Sequence, residues 1–170
     1  MEKHLLIEGC IRGETTAQKK LYELHAPAMM SVCRRYVRCH ETARDLLQDG
    51  FVKLFTKIHT YTGAGSFEGW MRRIFVTTAL EHLRQNKNMQ HDEIDEYPKT
   101  KHDVSTFEQL SADELLECVA SLPEVYRTVF NMHAIEGYTH IEIAKELGTN
   151  DSTSRSRYAK AREMLQKMVE

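Results

Sequence analysis

The chain has 170 residues, 41% hydrophobic and 28% charged, with a formal net charge of −2 at pH 7. That composition fits one ordinary domain or two small ones and excludes a protein that holds nucleic acid by bulk positive charge, so any such contact must come from local patches. No apolar run is long enough to span a bilayer and the N-terminus MEKHLLIEGCIRGE has no apolar core, so the expectation is a cytoplasmic protein without direct membrane insertion.

Three prolines, eight glycines and few β-branched runs favour helices. Ala17, Leu21, Leu24 and Ala28 open an apolar stripe at helical spacing that continues through Val32, Tyr36 and Val37. Pro27 inside it either kinks one helix or separates two. His40-Glu41-Thr42 interrupts the pattern, and Thr42 with Asp45 three residues on reads as a capping box with Asp in place of Glu. Ala43, Leu47, Gly50, Phe51, Leu54 and Ile58 then form the inner stripe of a helix whose outer face carries Arg44, Asp45, Gln48, Asp49 and Lys53. A polar, glycine-containing loop from Thr60 to Ser66 follows. From Phe67 to Lys87 the chain reads helical again. Trp70, Ile74, Thr77 or Thr78, and Leu80 to Leu83 turn inward, while Arg72, Arg73, Arg84 and Lys87 make the helix basic.

The composition shifts once, between about Asn88 and Glu108, where six acids, two lysines and a proline replace any apolar period. This stretch predicts an exposed acidic linker. Beyond it, Leu115, Val119 and Leu122 give a helix stopped by Pro123, which can itself open the next helix at its first position. Val125, Val129 and Met132 carry that helix toward Gly137. Ile143, Ala144 and Leu147 form one edge of a short helix that Gly148 can end in the left-handed conformation. Asn150, Asp151 and Ser152 offer oxygens to cap the last helix, whose inward stripe is Tyr158, Ala161, Leu165 and Met168. Between them stand Arg155, Arg157, Lys160 and Arg162, with no acid from Ser152 to Arg162. Two helices joined by a short glycine turn, the second basic near its start, form the helix-turn-helix pattern that enters a DNA major groove.

The expected fold is all-α: two small helical domains, residues 1–88 and 109–170, joined by a flexible acidic linker over 89–108, the second a helix-turn-helix domain. Cys10, Cys33, Cys39 and Cys118 form no C-x-x-C pair, and the nine histidines show no metal-binding spacing, so neither cofactor nor metal is expected. Cys33, Cys39 and His40 are read as packing or surface residues in preference to a metal or redox site.

Three stretches, taken together, carry a resemblance to a known family. TARDLLQDGFVKLF (42–55), SFEGWMRRIFVTTALEHLR (66–84) and LPEVYRTVFNMHAIEGYTHIEIAKELGTNDSTSRSRYAKAREML (122–165) resemble, in that order, the extracytoplasmic-function (ECF) group of bacterial RNA polymerase sigma factors. The resemblance covers nearly the whole chain and implies a transcription initiation factor with no catalytic site of its own. Its implied partners are core RNA polymerase, double-stranded promoter DNA and the melted single strand, and an anti-sigma factor, with the free chain a monomer.

By that resemblance the first stretch docks on the polymerase through Asp45, Gln48, Asp49, Val52 and Lys53, with Leu46 at the edge. The second reads and opens the downstream promoter element. There the loop from Tyr61 to Phe67, with Gly65 and Ser66, would enclose a flipped base, and Arg72, Arg73, Thr77, Arg84 and Lys87 would hold the strand. Trp70 and Phe75 are read as core in preference to stacking platforms. The sequence departs from the family pattern at Thr77, where asparagine is usual, and at Val76, where a basic residue is frequent. The third stretch reads the upstream element through Ser152, Thr153, Arg155 and Ser156, with Arg157, Lys160 and Arg162 on phosphates. Ser154 replaces an apolar residue, either loosening the packing or adding a bond to backbone. The competing readings are a plain helix-turn-helix regulator with an N-terminal dimerisation domain, and an enzyme using Cys or His. The Gly-Ser-Phe loop and the Asp/Gln face weigh against the first, and the absence of any nucleophile–base spacing against the second.

Overall fold

Residues 2–86 and 111–169 are described by a computed structural model. Lys87 and the acidic stretch 89–108 lie outside them. Every regular element among the described residues is helical, and the fold is all-α. The chain divides into two compact units, residues 1–81 and 82–170.

The first unit is built from α1 (Lys3–Ile11), α2 (Thr15–Tyr36), α3 (His40–Lys57), a single 3₁₀ turn (Ile58–Thr60) and α4 (Phe67–Gln85), whose last turn runs past the unit boundary. The buried stripe of α2 is Ala17, Leu21, Met29, Val32 and Tyr36. Leu24, expected in that stripe, is 59% exposed, and Ala28 is exposed as well. The inward line advances 17, 21, 25, 29, 32, 36, and residues 24 and 28 fall one position off it toward solvent. Pro27 sits inside α2 without dividing it. It costs the helix the amide that residue 23's carbonyl would accept from, on a face open to water. α3 begins at His40 with Cys39 as its N-cap, so Thr42 lies within the helix and forms no capping box. Leu46 is buried rather than at the edge of the outer face.

Glycine at position 50 is what lets α3 and α4 meet. The Phe75 ring of α4 lies over it so closely that an added Cβ would stand 2.2 Å from Phe75 Cε1 and 2.4 Å from Cδ1. Phe75 also meets the edge of Phe51 with centroids 5.0 Å apart, and Tyr22 packs on the other side of Phe51 at 4.7 Å. Such tilted and edge-to-face pairs are the favoured arrangements of aromatic rings and fix the register of the three helices.

The second unit contains α5 (Ala112–Ala120), α6 (Glu124–Phe130), a π turn (Asn131–Ile135), α7 (His140–Leu147) and α8 (Asp151–Val169). Ser111 and Glu114 form a reciprocal capping box at the start of α5. Pro123 is the N-cap of α6, one residue before the position expected for it. The core joins Cys118, Val119 and Leu122 to Ala161, Met164, Leu165, Met168 and Val169 of α8, with Tyr126 and Phe130 against its side. Arg127 is buried because its guanidinium donates to the Leu122 carbonyl at 3.1 Å and, more weakly, to the Ala120 carbonyl at 3.5 Å. It satisfies acceptors that α5 leaves at its C-terminal end.

Candidate polymerase and nucleic-acid interfaces

On α3, Asp45, Gln48, Asp49 and Val52 follow one another at i, i+3, i+4 and i+7 and are all exposed, so they form one outward stripe. Val52 is 66% exposed, an apolar side chain standing among acids and an amide. Lys53 is off the stripe and already engaged: its Nζ is 2.6 Å from Glu81 Oε2 of α4.

The loop between α3 and α4 is held in shape by its own side chains. The Tyr61 hydroxyl donates to the Gly65 carbonyl at 2.9 Å, and the Ala64 amide donates to Thr62 Oγ1 at 3.3 Å. Gly63 and Gly65 take φ of 84° and 78°, the left-handed region that favours glycine. Ser66 closes the loop by accepting the Gly69 amide at 3.0 Å, an N-cap for α4. Beneath the loop, the rings of Tyr61, Phe67 and Trp70 lie 5.2 to 5.7 Å apart. Phe67 is 2% exposed, so it is the floor of the loop and does not present a face for a base to stack on. Phe75 is core, as its spacing indicated, whereas Trp70 is half-buried with part of its ring at the surface. Lys3 of α1 reaches the start of α4, with Nζ 2.6 Å from Glu68, and holds that carboxyl below its usual range.

At 100° per residue, Ser66, Trp70, Arg73, Thr77 and Arg84 share one side of α4. Arg73 and Arg84 are exposed there, and Thr77 and Trp70 half-exposed. Arg72 lies about a third of a turn away and is half-buried. The predicted strand-holding set therefore splits into a coherent face and a flank, and Lys87 lies outside the described residues.

In the helix-turn-helix, Gly148 ends α7 at φ 67° and ψ 35°. Of the three capping candidates, Asn150 does the work: its Oδ1 accepts the Thr153 amide at 2.8 Å. Thr139 caps α7 by accepting the Glu142 amide at 3.1 Å. On α8, Ser152, Arg155, Ser156 and Arg162 face solvent together, while Thr153, Arg157 and Lys160 are half-buried on the flanks. Lys160 lies 3.9 Å from Glu163. Ala159 sits on the exposed face between Arg155 and Arg162, four residues after the first. Sequence reading passed over it because it carries no charge. Its small side chain allows close approach and suits a thymine methyl group.

Ser154 is fully buried, and its hydroxyl is 2.8 Å from His140 Nδ1. The substitution thus adds a side-chain bond between α7 and α8 rather than one to backbone. His140 stacks on His133 with centroids 4.2 Å apart, and Tyr158 meets the His133 ring edge-on at 4.6 Å. His133 Nδ1 is 2.8 Å from the Tyr138 carbonyl, which can only accept, so that nitrogen carries the proton. Burial, then the His133 and Arg155 charges, hold His140 below the usual histidine range, against a smaller opposing effect of Asp151. A folded-state value below the unfolded one means that the unfolded chain takes up the proton first. The stability contributed at His140 is fully present above about pH 6.5. It is lost as pH falls through the folded value. The resistance of the second unit to thermal unfolding should therefore fall below about pH 6.5, and His140→Gln should flatten that dependence. A slope unchanged by the substitution would exclude His140 as its source.

Among the described residues no group of three or more His, Cys, Asp or Glu is placed to hold a metal ion. Cys33 is sealed in the core, where burial pushes its thiol up to about 12, and Cys39 is exposed. No described helix is long and apolar enough to cross a membrane.

Two family models match the chain in order: sigma-70 region 2 over residues 21–89 and sigma-70 region 4 over residues 112–165. The ECF RNA polymerase sigma-E factor of Haemophilus influenzae is 26% identical, over 97% of this chain and 94% of that protein. The RNA polymerase sigma-H factor of Pseudomonas aeruginosa is also 26% identical, over 97% of this chain and 92% of that one. Among solved structures, the sigma factor RpoE from Bartonella quintana, in complex with the anti-sigma factor NepR, aligns with a TM-score of 0.55 at 19% identity. That alignment covers 88% of this chain and 94% of the Bartonella chain and shows the shared helical fold. The two matched regions contain the loop, the α4 face and the capped start of α8 described above. The chain belongs to the ECF group of the sigma-70 family and is a transcription initiation factor, not an enzyme, that carries core RNA polymerase to specific promoters and helps melt them.

Proposed function

We propose that the work of initiation is divided among three exposed faces. The stripe Asp45, Gln48, Asp49 and Val52 docks on core polymerase. The Tyr61–Ser66 loop, with Arg73, Thr77 and Arg84, takes the melted downstream strand. The outer face of α8 reads the upstream element, with Arg155 on a base edge and Arg162 on phosphate, while Arg157 and Lys160 on the flanks meet phosphates only. The working domains are residues 1–88 and 109–170, tethered by 89–108. Each makes a modest contact, and polymerase raises the effective concentration of the second once the first is bound. The free chain acts as a cytoplasmic monomer and binds DNA weakly alone.

The observation that carries this reading is the α8 face. A capped helix N-terminus presents Ser152, Arg155 and Ser156 to solvent, with Arg162 exposed on the same face and no acid between positions 152 and 162. The docking assignment is supported by an exposed valine ringed by polar groups, the mixture expected of a partner-binding patch. An anti-sigma protein of the kind bound to the Bartonella relative is the natural regulator, since covering these faces would keep the chain from polymerase.

Charge reversal separates docking from DNA reading. Asp49→Lys should weaken binding to core polymerase by about tenfold, about 1.4 kcal/mol, and leave unfolding unchanged because Asp49 is exposed. Unchanged affinity in a fluorescence titration with purified core would remove α3 from the docking surface.

A further inference from the structure

The α8 face holds one feature that its proposed role does not explain. Asp151 opens a helix that is otherwise free of acids through Arg162, on the side turned toward DNA phosphates, where a carboxylate opposes binding. It is not needed as the cap, because Asn150 Oδ1 already receives the Thr153 amide. Its carboxylate is instead committed to Arg155: Asp151 Oδ2 accepts from Arg155 Nη2 one helical turn on. The two side chains are 45% and 62% exposed, so the pair stands at the surface and not in the core.

We propose that Asp151 is a specificity-determining residue that orients the guanidinium of Arg155 for one base, at the expense of general affinity for DNA. This rests on the reading that places Arg155 on a base edge. An arginine carries five donors in a rigid fork, so one nitrogen held by Asp151 leaves the other edge of the fork free to meet a guanine through two hydrogen bonds. Without the carboxylate, the long side chain samples many rotamers and reaches phosphate as readily as base. Held by Asp151, it enters the groove with much of that freedom already lost. The same carboxylate repels phosphates and rejects bases that present a poor partner to the fork, which is how an unfavourable charge raises selectivity. His140, whose titration senses both charges, stands beside the pair on α7.

The test uses the polymerase holoenzyme formed with the full chain and a promoter duplex substituted singly at each upstream position. Asp151→Asn, Arg155→Ala and the double variant are compared with the parent chain, with thermal unfolding of each recorded. Asp151→Asn should lower discrimination at one base pair by about tenfold, the share of a bidentate contact that orientation secures. It should also strengthen binding to unrelated DNA, since a negative charge has gone. Arg155→Ala should relax the same base pair, and the double variant should match it. Three results overturn the proposal: discrimination unchanged in Asp151→Asn, affinity lost uniformly with a lowered unfolding temperature, or specific and unrelated DNA strengthened alike. If Arg155→Ala relaxes one base pair and Asp151→Asn does not, Arg155 remains the reader and only the role of Asp151 fails. If Arg155→Ala relaxes none, the base-reading assignment itself falls.

Discussion

Gly50→Ala should destabilise the first unit by about 1–3 kcal/mol, the range for overpacking a filled core. The sign is what makes the prediction useful. In an ordinary helix interior the same change stabilises by about 0.5–1 kcal/mol, because alanine loses less backbone freedom. Here the new methyl would lie 2.2 Å from Phe75 Cε1, against about 3.5–4.0 Å for a comfortable carbon contact. The ring cannot simply turn away, since Phe51 packs against it and the position is fully buried. Urea unfolding measures the effect directly. Phe75→Leu costs stability alone but should recover part of the loss when combined with Gly50→Ala, because the two changes act on one contact. A stabilised Gly50→Ala variant would mean that α3 and α4 do not approach as described.

Arg155→Ala should reduce transcription from the chain's own promoters by about 5- to 150-fold, the equivalent of about 1–3 kcal/mol from one bidentate base contact. Binding to core polymerase should not change, because Arg155 lies on α8 and the docking stripe on α3. Nor is the loss expected to come from misfolding, since an exposed i, i+4 ion pair contributes only about 0.3–0.5 kcal/mol. Run-off assays on matched promoters, with core affinity measured in parallel, separate the two effects. Equal loss of both would show that the faces do not act independently.

Much of this organisation is legible in the residues. The inner stripe of α3, the glycine end of α7 and the Ala161–Leu165–Met168 line of α8 follow from spacing alone, because one buried face forces one period. What spacing does not carry is which of several eligible groups takes a role. Asn150, Asp151 and Ser152 are all competent caps, and only the backbone path decides that Asn150 is the one used. Leu24 is apolar at a plausible position, yet α2 buries a line that passes one residue away from it. Phe67 reads as a loop aromatic available to DNA, but Tyr61 and Trp70 close over it and turn it into a floor. Pairings across long separations are the least legible. The Lys3–Glu68 and Lys53–Glu81 ion pairs, and the His140–Ser154 bond, each join helices whose sequence patterns are independent.

The most direct test of the account is run-off transcription with purified bacterial core polymerase on fragments of the source genome, with and without this chain. The account predicts discrete new transcripts that require the chain, with start sites sharing an upstream and a downstream motif. Core polymerase that stays silent on every fragment and does not co-purify with the chain would contradict it.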